Sequence, residues 1–139
     1  EWDHCDCLKA KELAALDDHG QYQKHEDEDY QSIVRGLQGF KGNVSVSFGE
    51  QLQLESDSAD DWGDAIDEAI HRMYKIYPNS FQAYMKLNGE LPNQVNATHL
   101  KKDEELNRRL EGLNENERRH LLKAYSQPIC YRYQSNESE

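Results

Sequence analysis

The sequence predicts an α+β fold, a mainly helical single domain of about five short helices packed with a small antiparallel β-hairpin. Two observations carry this expectation. Over most of the chain apolar residues recur at three- and four-residue steps between capping residues, and over residues 44–54 the period drops to alternation. Length then limits the architecture. With 139 residues, of which 36% are apolar, the chain suits one domain over residues 1–133. Charged residues make up 31%, yet eight Tyr, three Phe and two Trp supply anchors for a core. The polar segment Gln21–Asp29 and the tail Gln134–Glu139 are expected to be mobile.

Leu8, Leu13 and Leu16 among Ala, Lys and Glu predict a helix over 7–19, ended by Gly20. Tyr30, Ile33, Val34 and Leu37 share a face and predict a second over 27–37. Val44, Val46 and Phe48 then alternate with serines, and Leu52 and Leu54 with glutamines. A loop at Gly49–Gln51 would set Phe48 opposite Leu52 and Val46 opposite Leu54. A lone hairpin is marginal, so a third strand is sought in Pro128–Tyr133, where Ile129, Tyr131 and Tyr133 alternate.

The strongest helical signal spans 59–77. Ser58 caps it, Asp61 stands where a reciprocal capping acid would, and Trp62, Ile66, Ala69, Ile70, Met73 and Tyr77 form one apolar stripe before Pro78. Shorter helices follow at 80–87, closed by Gly89, at 98–111, capped by Thr98 and ended by Gly112, and from Asn114, with Glu117 completing a capping box. The expected core centre is Trp62, Ile66, Ile70, Met73, Phe81, Leu106 and Leu121.

Charge is divided unevenly. Residues 1–70 hold 18 acidic and 5 basic side chains, a net of -13, and residues 71–139 hold 9 and 11, a net of +2. Glu50, Glu55, Asp57, Asp60, Asp61, Asp64, Asp67 and Glu68 follow one another with no Lys or Arg between them, and Glu26, Asp27, Glu28 and Asp29 form a second patch. Part of this excess complements the dipole of the helix after Ser58. The remainder is a candidate face for a partner protein with a basic surface, steered over about one Debye length. The same field opposes direct nucleic-acid binding. Carboxylates spaced like duplex phosphates would instead imitate DNA toward a nucleic-acid-binding protein. Lys101, Lys102, Arg108, Arg109, Arg118, Arg119 and Lys123 are interleaved with acids, a balanced surface through which copies could also associate head to tail.

Sites for chemistry are weaker. His4, Cys5 and Cys7 offer zinc-type donors but lack the usual spacing of first ligands. Ala59 and Gly63 are misplaced for a calcium loop. Glu68–His71 and Glu117–His120 repeat a di-iron spacing, but Glu68 and His71 fall opposite the apolar stripe and are expected in solvent. No strand–turn–helix nucleophile and no phosphate-binding glycine loop occurs. Three cysteines leave Cys130 either bridged to Cys5 or Cys7 or, like them, a free thiol. Sequons at Asn43, Asn96 and Asn136 allow glycosylation in a secreted context.

No apolar run approaches the roughly 18–20 residues that span a bilayer. A soluble chain is therefore expected, either intracellular or secreted after processing; beginning at Glu1 rather than Met, it reads as a processed product or a cut fragment, which leaves the compartment open. The leading function is non-catalytic protein binding through the acidic surface, with no cofactor. Two alternatives stand beside it: a small metal- or ligand-binding protein or enzyme built on the His, Cys and acid clusters, and an acidic DNA mimic. Three or more of those groups converging in one concave pocket would favour the first alternative, and an uninterrupted convex carboxylate ridge the second.

Overall fold

The computed structural model describes residues 1–3, 5–96 and 104–133. Six helices follow one another: α1 (Asp6–His19), α2 (Glu28–Gln38), α3 (Ala59–Met73), α4 (Pro78–Asn88), α5 (Glu104–Leu110) and α6 (Glu115–Tyr133). No strand forms among the described residues, so the fold is all-α and the expected α+β class is overturned.

Local capping chemistry explains where most helices start and stop. Gly20 ends α1 at φ 70°, a left-handed turn that a side chain would strain, and its N–H reaches the Leu16 carbonyl. The Ser58 hydroxyl accepts from the Asp61 amide at the start of α3, Pro78 occupies the first turn of α4, and Gly89 closes it. Asn114 and Glu117 exchange side-chain-to-backbone hydrogen bonds at 2.9 Å each, the expected capping box of α6. Thr98 lies outside the described residues.

The core is built along α6. Leu121, Leu122, Ser126 and Ile129 are buried on one side of it, and their three- and four-residue spacing continues straight through Pro128. That period, rather than the alternation of Ile129, Tyr131 and Tyr133, decides the segment, and the expected third strand is helix. Pro128 forfeits one backbone hydrogen bond, while full burial of Ile129 holds the last turns in place.

Three apolar clusters line the α6 seam. Trp2, Ala83, Leu106 and Leu122 form one, with Leu87, Leu110 and Tyr125 against it. Ala10, Leu113 and Leu121 form the second. Phe81, Tyr84 and Ile129 form the third, joined by Ile76, Leu91, Val95 and Cys130. Helices α1 and α4 therefore flank α6, with α5 closing the end near Trp2.

Most of the chain between α1 and α4 lies outside this bundle, with Ile76 joining it and the end of α3 touching α6. No residue from Ala15 to Pro78 is buried. Of the expected core centre, Phe81, Leu106 and Leu121 are buried, Trp62 and Met73 are half-buried, and Ile66 and Ile70 are exposed. The predicted hairpin is a segment without regular secondary structure in which Val44, Val46 and Phe48 are open to solvent, Phe48 at 94%. With Pro128–Tyr133 committed to α6, no third strand among the described residues covers a hairpin, and two strands alone do not repay their ordering cost.

The segment is instead tied down at points. The Trp2 amide donates to the Lys41 carbonyl at 3.0 Å, and the Tyr77 hydroxyl donates to Ser45 at 2.7 Å. Gly42 sits at φ 65° directly against Glu1 and Trp2, where a Cβ would come within 2.9 Å of the indole. In the polar stretch before α2, the Tyr22 hydroxyl donates to Glu28 and Lys24 pairs with Asp29.

Candidate functional site

All eight carboxylates from Glu50 to Glu68 are exposed. Helix geometry gathers Asp60, Asp61, Asp64, Asp67 and Glu68 on one side of α3, with Asp60 and Asp61 in its first turn. Among the described residues only Glu68 is matched by a cation, Arg72 one turn on at 2.7 Å. Asp61 accepts from the Ser56 hydroxyl, which tightens the cap. The second patch begins α2, where Glu26, Asp27 and Asp29 are exposed and Glu28 is half-buried. No hydrogen bond or ion pair joins the two patches among the described residues.

Helix α2 is turned contrary to its pattern. Its half-buried positions include Glu28, Ser32 and Gly36, while Tyr30, Ile33 and Leu37 face solvent at 70, 63 and 78% exposure. Ser32 fixes this orientation, its hydroxyl lying 2.8 Å from the Cys5 sulfur. An acidic N-terminus therefore leads into an uncovered apolar stripe.

The C-terminal end of α3 is held by one side chain. Arg132 on α6 donates from one guanidinium nitrogen to the carbonyls of Tyr74 at 2.6 Å, His71 at 3.3 Å and Arg72 at 3.4 Å. These are carbonyls that the end of a helix leaves unpaired. Beside this clasp the His71 ring stacks on Tyr131 with centroids 3.9 Å apart, so His71 packs against α6 rather than in solvent as expected.

Asp64, Asp67, Glu68 and His71 then line one open groove of about 630 Å³, whose other wall is Tyr131 and Arg132. Four of the groups singled out from sequence thus share one groove, but they stand on successive turns of one helix, strung along an open wall rather than converging on a common point. Among the described residues no group of three or more His, Cys, Asp or Glu is placed to hold a metal ion.

The remaining candidates are engaged structurally. Glu117 belongs to the α6 capping box and His120 lies 2.7 Å from Asp17 on α1. His4 is outside the described residues. Cys5 turns to Ser32 and Cys7 to the Arg109 carbonyl, which separates the two thiols. Cys5, Cys7 and Cys130 are all free and half-buried, so neither proposed bridge forms. Burial first, and then the neighbouring Asp6 carboxylate, push the Cys7 thiol from 9.0 up to about 12. At Asn43 the side-chain amide donates to Glu1 at 2.8 Å.

Sequence reasoning missed a charged centre whose side chains are buried. Arg109, taken for a surface residue, is 8% exposed at its side chain, and its partner Asp6 5%. A guanidinium nitrogen donates to Asp6 at 2.6 Å, Nε donates to Glu105 at 2.8 Å, and the plane lies 4.9 Å from the centre of the Trp2 ring. The Tyr125 hydroxyl also donates to Asp6, at 2.5 Å. Burial, then the hydrogen bond and charge of Asp6, push the Tyr125 phenol well above its ordinary value.

A signal for this centre existed. Asp6 shares a helix face with Ala10 and Ala14, and Arg109 falls between Leu106, Leu110 and Leu113 on an inward stripe. Arg118 and Arg108 are likewise engaged, with the Leu110 carbonyl and Glu105, so the basic set is partly consumed within the fold, and Lys101 and Lys102 lie outside the described residues.

Comparison with protein-family models, with curated proteins and with solved structures finds no match. Among the described residues no helix is long and apolar enough to cross a membrane.

Proposed function

We propose that this chain is a non-catalytic protein-binding domain whose acidic face receives a partner with a basic surface. The observation that carries the reading is the state of the Glu50–Glu68 carboxylates. All are exposed, and seven of the eight have no cation beside them among the described residues. Seven unmatched charges repel one another, and a basic surface brought against them relieves that repulsion. The outward stripe of α2, led in by Glu26–Asp29, adds apolar area of the kind that binding surfaces carry. The concave groove at the Asp64–His71 end, interrupted by Arg72, supports a protein surface over imitation of a duplex.

The test is a pulldown at low and high salt with the wild-type chain and a variant carrying Asp57→Asn, Asp60→Asn, Asp61→Asn and Asp64→Asn. The expected result is a partner retained at low salt, released at high salt, and lost in the variant while its helical circular dichroism is unchanged. Retention by the variant at both salt concentrations would overturn the proposal. Release of the partner by added duplex DNA would move the reading to mimicry.

A further inference from the structure

A cavity of about 430 Å³ opens between the residues around Trp2, helix α1, the start of α4 and the middle of α6. Its size is that of a small-ligand site. Four aromatic residues line it, Trp2, Tyr74, Tyr77 and Tyr125, together with the acidic residues Glu1, Asp3 and Asp6. Alanine, leucine and proline side chains, from Ala10, Leu13 and Pro128, complete an apolar wall.

Two of these rings already attract cations from the chain itself. Arg109 lies 4.9 Å from the Trp2 ring centre and Lys75 5.9 Å from that of Tyr77. Neither cation borders the cavity whereas both rings do. Trp2 and Tyr125 meet edge to face at 5.2 Å, which holds two walls of the cavity at an angle to each other.

Charge inside the cavity favours the same sign of ligand. The basic groups of its lining residues are each engaged, Lys9 with Glu12 at 3.0 Å, His120 with Asp17 at 2.7 Å, and the Glu1 ammonium with the Asn43 carbonyl at 2.8 Å beside its own carboxylate, which accepts from Asn43. Asp6 is balanced by Arg109. Among the described residues Asp3 has no such cation, and its carboxylate accepts the backbone amide of Cys5 at 2.9 Å. Aromatic walls, a carboxylate without a counter-ion and small apolar contacts make a poor site for an anion. They suit the dispersed charge of an alkylated ammonium, which loses little hydration on entering and gains from each ring face. The geometry points to a binding site for a small organic cation, of the quaternary or alkylated ammonium class, enclosed by Trp2, Tyr74, Tyr77 and Tyr125 with Asp3 as counter-charge. The site is distinct from the acidic face of α3 and does not depend on it.

Trp2 is a built-in reporter once the other indole is removed by Trp62→Phe. In that background the emission of Trp2 is followed on titration with choline and with its uncharged isostere 3,3-dimethylbutan-1-ol. Choline is expected to give a saturable change, with the alcohol weaker by about tenfold or more, since the two share a shape and differ in charge. Tyr74 is an exposed rim residue, so its replacement leaves the fold in place. Tyr74→Leu and Asp3→Asn are each expected to weaken choline about fivefold or more, and Tyr74→Phe to preserve binding because the ring remains. Unchanged thermal midpoints confirm that the variants are folded. Equal binding of the alcohol, indifference to Tyr74→Leu and Asp3→Asn together, or no saturable change at about 10 mM choline, where a millimolar site is mostly filled, would each overturn the assignment.

Discussion

Helices α2 and α6 are both amphipathic, yet one turns its apolar stripe outward and the other buries it. Along α6 the stripe meets partners on two sides, α1 and α4, and Ile129 is fully enclosed. The stripe of α2 meets nothing comparable, and Ile33 is 63% exposed. An apolar periodicity states that a face prefers to be covered. Whether it is covered inside the chain depends on what else the topology brings alongside, and here the bundle closes without the region from α2 to α3.

The first way to break this contrast is to attack the bundle at its buried charge. Asp6→Ala leaves the Arg109 guanidinium enclosed with only Glu105 as a counter-charge, and about 3–5 kcal/mol of stability should be lost in urea unfolding. A loss below about 1 kcal/mol would place the pair among ordinary surface ion pairs.

The contrast is sharpened most directly by making one substitution in both regions. Ile129→Ala should cost about 2–5 kcal/mol, and Ile33→Ala should stay within about 0.5 kcal/mol. Similar values for the two isoleucines would show that α2 is covered in solution.

Arg132→Met tests the joint between the regions. It should lower global stability by only about 1 kcal/mol, while amide exchange in the last turns of α3 accelerates and that in α4 does not. Equal acceleration in both helices would mean that the clasp supports the bundle rather than the acidic helix.

The bundle side of the contrast also has an alkaline limb. Cys7 and Tyr125 both hold their protons more tightly in the folded chain than in the unfolded one. Their contribution is complete below pH 9.0, the ordinary value of the thiol, and Cys7's share is lost as pH rises toward about 12. Stability measured from pH 8 to 11 should therefore fall, and Cys7→Ala should make the fall shallower; an identical slope would remove Cys7 from the account.

The legible parts of the fold were those set by local chemistry. Gly20, Ser58, Gly89 and the Asn114–Glu117 box could be read because a cap concerns only residues within one turn. The hairpin could not, because alternation in Val44–Phe48 and Leu52–Leu54 describes a surface and not its partner. At Pro128–Tyr133 two periods overlap, and burial of Ser126 and Ile129 decided for the helix. The acidic run was plain in the sequence, and its exposure matches its composition. The groove that ends it was not, since Tyr131 and Arg132 reach α3 from about sixty residues away. Asp6 and Arg109 were still harder, separated by 103 positions, each resembling an ordinary helix-surface charge.

The Arg132 clasp also has a consequence for the order in which the molecule is made. Translation delivers α3 well before α6, so the acidic helix leaves the ribosome with its terminal carbonyls uncapped and no wall to its groove. Its orientation is acquired only when residue 132 has emerged and α6 has closed on α1 and α4. A partner that requires the groove would therefore bind late, after the bundle has formed, whereas one that reads charge alone could engage the nascent chain as soon as α3 is exposed.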